Sequence, residues 1–311
     1  MSGYFHQTVL VAEVIAALQP RSANRYVDGT VGGGGHAAAI LTASAPDGWL
    51  FGVDRDQEAV QAATERLAEF AGRFELRVAN FADLGSWLPD GSCDGVLLDL
   101  GVSSHHLERA DRGFSLVRDG PLDMRFDRNQ ALTAAQVVNQ LEVDELGRLF
   151  WELGGDPHAR RIARAIERER RHRPLESTRY LAELIERVVP RAGRSTHPAT
   201  RVFQSLRMKV NDELGSLRRG LAAAWRVLHS GGRLAVLTFH SGEDRLVREF
   251  GRALVRDYEV EGEVDVPELR RPRVSQARWA TRKAVRAGAA ELAQNPRARS
   301  AQLRVLEKRA G

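Results

Sequence analysis

A chain of 311 residues, 43% hydrophobic and 28% charged, is long enough to bury one large core or two smaller ones, and its apolar residues are too interrupted for a membrane span. One cysteine, Cys93, permits neither an internal disulfide nor a thiolate metal cage, which excludes a disulfide-stapled scaffold and suits a reducing cytoplasm. The net charge of +5 is unevenly spread: residues 1–155 hold 12 basic against 22 acidic side chains, residues 156–311 hold 34 against 19, and so cationic a back half points to a polyanion, most commonly nucleic acid.

The opening "MSGYFHQTVLVAEVIAAL" has no basic region ahead of its apolar residues and is broken by Glu13, so a signal peptide is not expected. "RYVD" (25–28) reads as a buried strand, followed by the glycine run of "GTVGGGGHAAAI", which opens a helical pattern. "WLFGVD" (49–54), the helical "QEAVQAATERLAEFA" (57–71), "FELRV" (74–78) and "DGVLLDL" (94–100), with Cys93 at its head, continue the alternation of strand and helix. That rhythm predicts an α/β fold with a parallel sheet covered on both faces. No convincing strand then appears until "GRLAVLTF" (232–239), while helical patterns recur at 131–152, 157–172, 178–189 and 199–228. An interval far longer than one crossover helix implies an inserted helical domain, placed at 113–204 inside a discontinuous domain of 1–112 and 205–311. "YEVEGEV" and "SAQLRVLEK" are expected to finish the sheet.

The glycines follow a strand and open a helix, so backbone N–H groups face whatever binds there. Walker A is excluded, because no Lys-Ser or Lys-Thr pair follows the last glycine. Gly32, Gly34 and Ala37 satisfy the dinucleotide pattern G-x-G-x-x-G/A, and Asp54 ends the second strand where a carboxylate accepts ribose hydroxyls. NAD-like dinucleotides and S-adenosylmethionine both remain. Asp28 and Asp99 end the first and fourth strands at the same sheet edge, and with Asp54 they make three carboxylates around one crevice. Such a ring repels a pyrophosphate and attracts a sulfonium and an ammonium, by roughly 1–4 kcal/mol per close pair. The methyl donor is favoured. The competing structural reading makes Asp28 a turn cap and Asp99 a helix cap.

The ordered blocks "HQTVL", "DGTVGGGGH", "VDRD", "LLDLGVSS", "RGFS", "GPLDMR", "HPATRVFQSLRMKVNDEL", "GGRLAVLTFHSGEDR" and "NPRARSAQLRV" run from His6 to about Val305. In these the chain resembles the bacterial 16S ribosomal RNA cytosine N4-methyltransferase family. The resemblance implies a class I (Rossmann-like) methyltransferase fold with an inserted all-helical domain, S-adenosylmethionine as methyl donor, and a cytosine in the decoding region of the small ribosomal subunit as acceptor. It places donor contacts on Gly34, Gly35, His36, Asp54, Phe81, Asp99 and His106. Where the family usually has Pro-Gln after "GVSS" this chain has His105 and His106, and Gly242 replaces a bulkier apolar residue.

An exocyclic amine is a weak nucleophile, so catalysis here is mostly positioning. Asp99 is the candidate beside the acceptor amine, and Ser103 and Ser104 are candidates to orient the base. No metal is expected, because the histidines show no ligand spacing, and Ser, His and Asp in "FHSGED" read as a strand-to-helix turn rather than a triad. The turn-rich "GFSLVRDGPLDMRFD" (113–127) is expected to be a lid with Asp123 and Arg125 touching the acceptor. Arg161, Arg164, Arg168 and Arg171 recur at three- and four-residue spacing and form a stripe for phosphates. "PELRRPRVSQARWATRKAVRAG" sets Arg270, Arg271, Arg273, Lys283 and Arg286 around Trp279, as a base-stacking segment partly disordered without RNA. The expected partner is 16S rRNA in the small subunit, with no membrane, and monomer and homodimer stay open. A nicotinamide oxidoreductase and a catalytically idle ribosome-assembly factor are the alternatives.

Overall fold

The computed structural model describes residues 8–191 (Ser104 without its side chain), 193, 196–261 and 264–310; His6 and Gln7 of "HQTVL" lie outside them. The chain forms two compact units, Met1–Gly101 with Gly215–Gly311, and Val102–Leu214.

The strands are β1 (Arg25–Asp28), β2 (Trp49–Asp54), β3 (Phe74–Val78), β4 (Cys93–Asp99), β5 (Leu228–Thr238), β6 (Tyr258–Val260), β7 (Arg270–Pro272), β8 (Ala277–Trp279) and β9 (Gln302–Lys308). The helices are α1 (Val11–Leu18), α2 (Gly35–Ala43), α3 (Gln57–Arg66), α4 (Leu84–Trp87), α5 (Ser104–Glu108), α6 (Ala134–Gln140), α7 (Val143–Glu152), α8 (Ala159–Arg170), α9 (Thr178–Val188), α10 (Thr200–Val210), α11 (Glu213–Val227), α12 (Ser241–Val255) and α13 (Ala289–Gln294).

The first unit is built on a seven-stranded sheet of order β3-β2-β1-β4-β5-β9-β8. β1 to β5 are parallel and β9 runs antiparallel to both its neighbours. This is the class I methyltransferase fold. A central parallel strand is apolar along its whole length because both its faces are covered, and Val96, Leu97 and Leu98 of β4 are fully buried. Helices α1, α2, α3 and α12 pack on the sheet, and Val14, Ile40, Leu41, Leu50, Leu97, Leu237 and Val305 share one core. Strand order reverses between β1 and β4, and crevices for ligands open at the carboxyl ends of strands at such a point. Asp28 and Asp99 end those two strands.

Two features of the sheet differ from expectation. Among the described residues of "YEVEGEV", which leave out Gly262 and Glu263, the strand is Tyr258–Val260, and it pairs with β7 in a separate ribbon. Cross-strand contacts hold it there: Arg270 lies over the Tyr258 ring at 4.3 Å and Arg271 pairs with Glu261 at 3.0 Å. The sheet edge is instead β8, three residues in a charged stretch too short to show an alternating pattern.

The second unit is helical. Its core gathers Phe150, Ile162, Ile166, Leu181, Ile185, Val202 and Leu206 from α7 to α10. The periodic stretch 131–152 is two helices, because Thr133 with Gln136 and Glu142 with Glu145 each form a capping box that starts a new one. The stretch 199–228 also breaks, at Asn211–Asp212, where Asp212 adopts φ 46°. Asn211 is buried; its amide donates to the Met124 and Arg207 carbonyls and accepts from Phe126 N–H, bonds that a continuing helix surface would not supply. Among the described residues no helix is long and apolar enough to cross a membrane.

Candidate active site

The glycine loop is shaped by close approach. After β1, the Thr30 hydroxyl accepts the Asp99 N–H (2.7 Å) while Thr30 N–H donates to Asp28 Oδ1 (3.1 Å), so one residue ties the ends of β1 and β4 together. Gly34 adopts φ 77°, and a Cβ there would lie 3.2 Å from the Ala63 Cα of α3. At Gly35, which begins α2, a Cβ would lie 1.8 Å from the Thr8 hydroxyl. Only glycine fits both positions as they stand.

Three side chains converge where the strand order reverses. Asp28 is 1% exposed, and among the described residues its Oδ2 has no hydrogen-bond partner. Burial pushes its carboxyl up to about 7; His36 and the Thr30 amide oppose that rise, and the charges of Asp99 and Asp54 add to it. Among the described residues His36, buried in the first turn of α2, has both ring nitrogens unpartnered; Nε2 stands 3.5 Å from Asp99 Oδ2, beyond a good hydrogen bond. Asp99 Oδ1 is also buried and unpartnered. Open hydrogen-bonding valences on buried groups are rare, because each costs about 1–3 kcal/mol, and a cluster of them is the mark of a ligand site. Two carboxylates and an imidazole suit a cation carrying N–H donors. The donor's ammonium fits that description.

Asp54 closes β2 nearby. Its Oδ2 accepts Gly32 N–H and its Oδ1 accepts Asp56 N–H, each at 2.9 Å, which ties the glycine loop to the second strand.

Phe81 follows β3. Asn80 positions it by accepting Ala82 N–H (3.0 Å) and donating to Ser216 Oγ (3.0 Å), and the ring lies on Gly220 of α11, where a Cβ would be 2.2 Å from Cδ2 and Cε2. Sequence reasoning missed Asn80, Ser216 and Gly220, and no local pattern pairs residues so far apart in the chain. Gly220→Ala is expected to push the ring off its seat, lowering stability by about 1–3 kcal/mol as overpacking does and weakening donor binding several-fold. Thermal melting and calorimetric titration measure the two effects, and unchanged donor affinity would detach Phe81 from the site.

The other expected site residues belong to the second unit. Ser103 caps α5, accepting His106 N–H at 3.3 Å, and its Oγ is 3.0 Å from His106 Nδ1. The His106 ring is buried, 5.0 Å from Phe114 and 5.1 Å from Phe126, which stack on each other. Ser104 opens α5 and its side chain lies outside the described residues. Asp123 and Arg125 bind each other through a two-bonded fork at 2.8 Å, and Arg125 Nη1 donates to the Arg128 and Gln130 carbonyls. Burial raises the Asp123 carboxyl, but the Arg125 fork outweighs it and holds the group below the usual carboxylate range. Both side chains therefore serve first to shape the 113–130 segment. Buried Arg112 does likewise by donating to the Arg125 and Phe126 carbonyls.

Arg161, Arg164, Arg168 and Arg171 are all exposed, as the spacing predicts, and Arg171 is tied to Glu167 at 2.9 Å. The 267–286 segment differs from expectation. Its β7 and β8 are paired strands, Arg270 is committed to Asp265 at 2.7 Å, and the Trp279 ring rests on α12, where a Cβ at Gly251 would lie 2.3 Å from it. Trp279 is a packing residue. Lys283 and Arg286 are exposed. In "FHSGED", His240 and Glu243 form the capping box of α12, which is the strand-to-helix turn expected.

A family model described as the MraW methylase family matches residues 3–309. The chain is similar over nearly its whole length to proteins described as ribosomal RNA small subunit methyltransferase H. Identity is 49% to that of Syntrophotalea carbinolica, covering 97% of this chain and 98% of the relative. It is 48% to that of Citrifermentans bemidjiense (99% and 100%) and 48% to that of Symbiobacterium thermophilum (98% and 97%).

Proposed function

We propose, since the chain belongs to the MraW methylase family, that it methylates N4 of one cytosine in the decoding region of 16S rRNA, using S-adenosylmethionine, within the small ribosomal subunit in the cytoplasm. The observation that carries the donor is the cluster of buried, unpartnered polar atoms on Asp28, His36 and Asp99 at the strand-order reversal. The acceptor rests on the names of the relatives and on the resemblance in the motifs.

The donor, when bound, supplies an electrophilic methyl on a sulfonium. Gly34, Gly35 and His36 hold its amino-acid end, Asp54 accepts from its ribose hydroxyls, and Phe81 lies against its base. Asp99, fixed through its own N–H by Thr30, accepts a hydrogen bond from the acceptor amine and aligns the lone pair. Ser103, next in the chain, orients the base, Asp123 and Arg125 contact the acceptor, and His106 contacts the donor. A new N–C bond replaces the S–C bond, and the amine proton leaves toward Asp99 or water. Phosphates lie along Arg161, Arg164, Arg168 and Arg171.

Transfer of labelled methyl to small subunits lacking the modification tests this reading; about one methyl per subunit is expected, and none would contradict it. Donor binding should also be pH-dependent. An Asp28 that titrates near 7 is largely neutral below that pH and charged above it, so donor affinity should rise as pH increases from 6 to 8, with proton release near neutrality. Stability of the donor-free protein should move oppositely, falling as pH rises toward 7, because the folded state binds the proton that the unfolded Asp has lost. Asp28→Asn should flatten the affinity profile in calorimetric titration across that range.

A further inference from the structure

The inserted unit exposes one aromatic side chain that the proposed function leaves unused. Trp151, at the end of α7, is 61% exposed, and no ring or cation among the described residues lies against it. Gly147, one turn earlier on the same helix, brings α7 onto α8: a Cβ there would be 3.7 Å from Arg160 Cγ and 3.9 Å from Ala163 Cβ. Trp151 therefore stands on the shoulder of α7 beside the first turn of α8. From there the exposed face of α8 carries Arg160, Arg161, Arg164 and Arg168 within about 100° of helix surface, opposite buried Ile162 and Ile166. Arg148, one turn before Trp151, is exposed as well. The carboxylate of Glu167 on this helix is already engaged by Arg170 and Arg171. The acidic residues Asp144 and Glu145 sit in the first turn of α7, at the end away from Trp151, and Glu152 follows it.

An exposed indole beside a row of guanidinium groups has the chemistry of a single-strand reader, with one π-face for an unpaired base and point charges for the phosphates that flank it. A duplex offers the phosphates but keeps its bases stacked. We propose that the α7–α8 hairpin binds a single-stranded stretch of RNA, with one base stacked on Trp151 and the neighbouring phosphates along Arg160, Arg161, Arg164 and Arg168. The proposal rests on the rRNA-methyltransferase reading and adds the part of the substrate that this surface recognises.

The test uses the full chain and two fluorescent probes of one mixed sequence, a 12-nucleotide RNA strand and its duplex, with anisotropy followed at several salt concentrations. The strand should bind more tightly than the duplex. Trp151→Ala should weaken strand binding by about 5- to 100-fold, Trp151→Phe should restore much of it, and Trp151→Leu should not. Arg164→Gln with Arg168→Gln should lower the slope of log affinity against log salt by about 1.4, and donor binding should be unchanged in every variant, which also shows that each is folded. Strand affinity indifferent to Trp151, or a loss equal for strand and duplex, would overturn the surface. Methyl transfer to small subunits is measured in parallel: wild-type transfer with no Trp151 effect removes only this proposal, whereas Trp151-dependent strand binding without transfer removes only the enzyme reading.

Discussion

Asp99→Ala should reduce methyl transfer to small subunits by roughly 30- to 150-fold in kcat/KM, about 2–3 kcal/mol of transition-state stabilisation. The carboxylate is 13% exposed on its side chain, one of its oxygens is buried without a partner, and its backbone is pinned by the Thr30 hydroxyl. A buried charge beside a reacting centre is weakly screened by water, so its removal is felt strongly. Asp99→Asn keeps the shape and one acceptor oxygen, and should fall between wild type and alanine. A second readout separates charge from shape. Asp99 raises the Asp28 carboxyl, so both substitutions should move the midpoint of pH-dependent donor binding below about 7. A merely structural role for Asp99 would leave that midpoint in place.

Gly34→Val should abolish measurable donor binding, with Kd raised more than about 100-fold, and cost about 2–4 kcal/mol of stability. Two independent faults add at this position. The residue needs φ 77°, which a β-branched side chain resists, and its Cβ would press on the Ala63 backbone of α3 at 3.2 Å, which no rotamer change relieves. Gly35→Ala should be milder, because no positive φ is required there, although Thr8 must shift: its hydroxyl would lie 1.8 Å and its Cβ 3.0 Å from the new Cβ. Differential scanning calorimetry with and without donor measures both effects. A Gly34→Val protein that still gains stability from donor would show that the loop does not touch it.

The strands β1, β2 and β4 were legible because each is an apolar run closed by Asp, and parallel strands covered on both faces leave that mark; β3, at the sheet edge, instead alternates apolar and charged residues and is half-exposed. The site carboxylates followed from the same fact, since strand ends share an edge. Helix breaks at Leu141 and Asn211 were not legible: apolar periodicity runs straight through both, and the decisive signals are a capping box and the long-range hydrogen bonds of one asparagine to Met124 and Phe126. β8 escaped because three residues cannot show a period of two. Gly220 under Phe81 and Gly251 under Trp279 are close approaches between distant segments, and a glycine in a helical pattern does not say what lies on it. Charge was legible as a sum but not as a placement. Arg160, Arg161, Arg164 and Arg168 of α8 stayed exposed, whereas Arg125, Arg170 and Arg270 found carboxylates in the fold.

The central claim is that this chain methylates N4 of a cytosine in small-subunit rRNA, and the identity of the labelled nucleoside tests it most directly. Purified protein, radiolabelled S-adenosylmethionine and small subunits from cells lacking the modification are incubated together, and the 16S rRNA is digested to nucleosides. Label should appear as N4-methylcytidine from the decoding region. Label in another nucleoside, or none from a protein that binds the donor, would contradict the account.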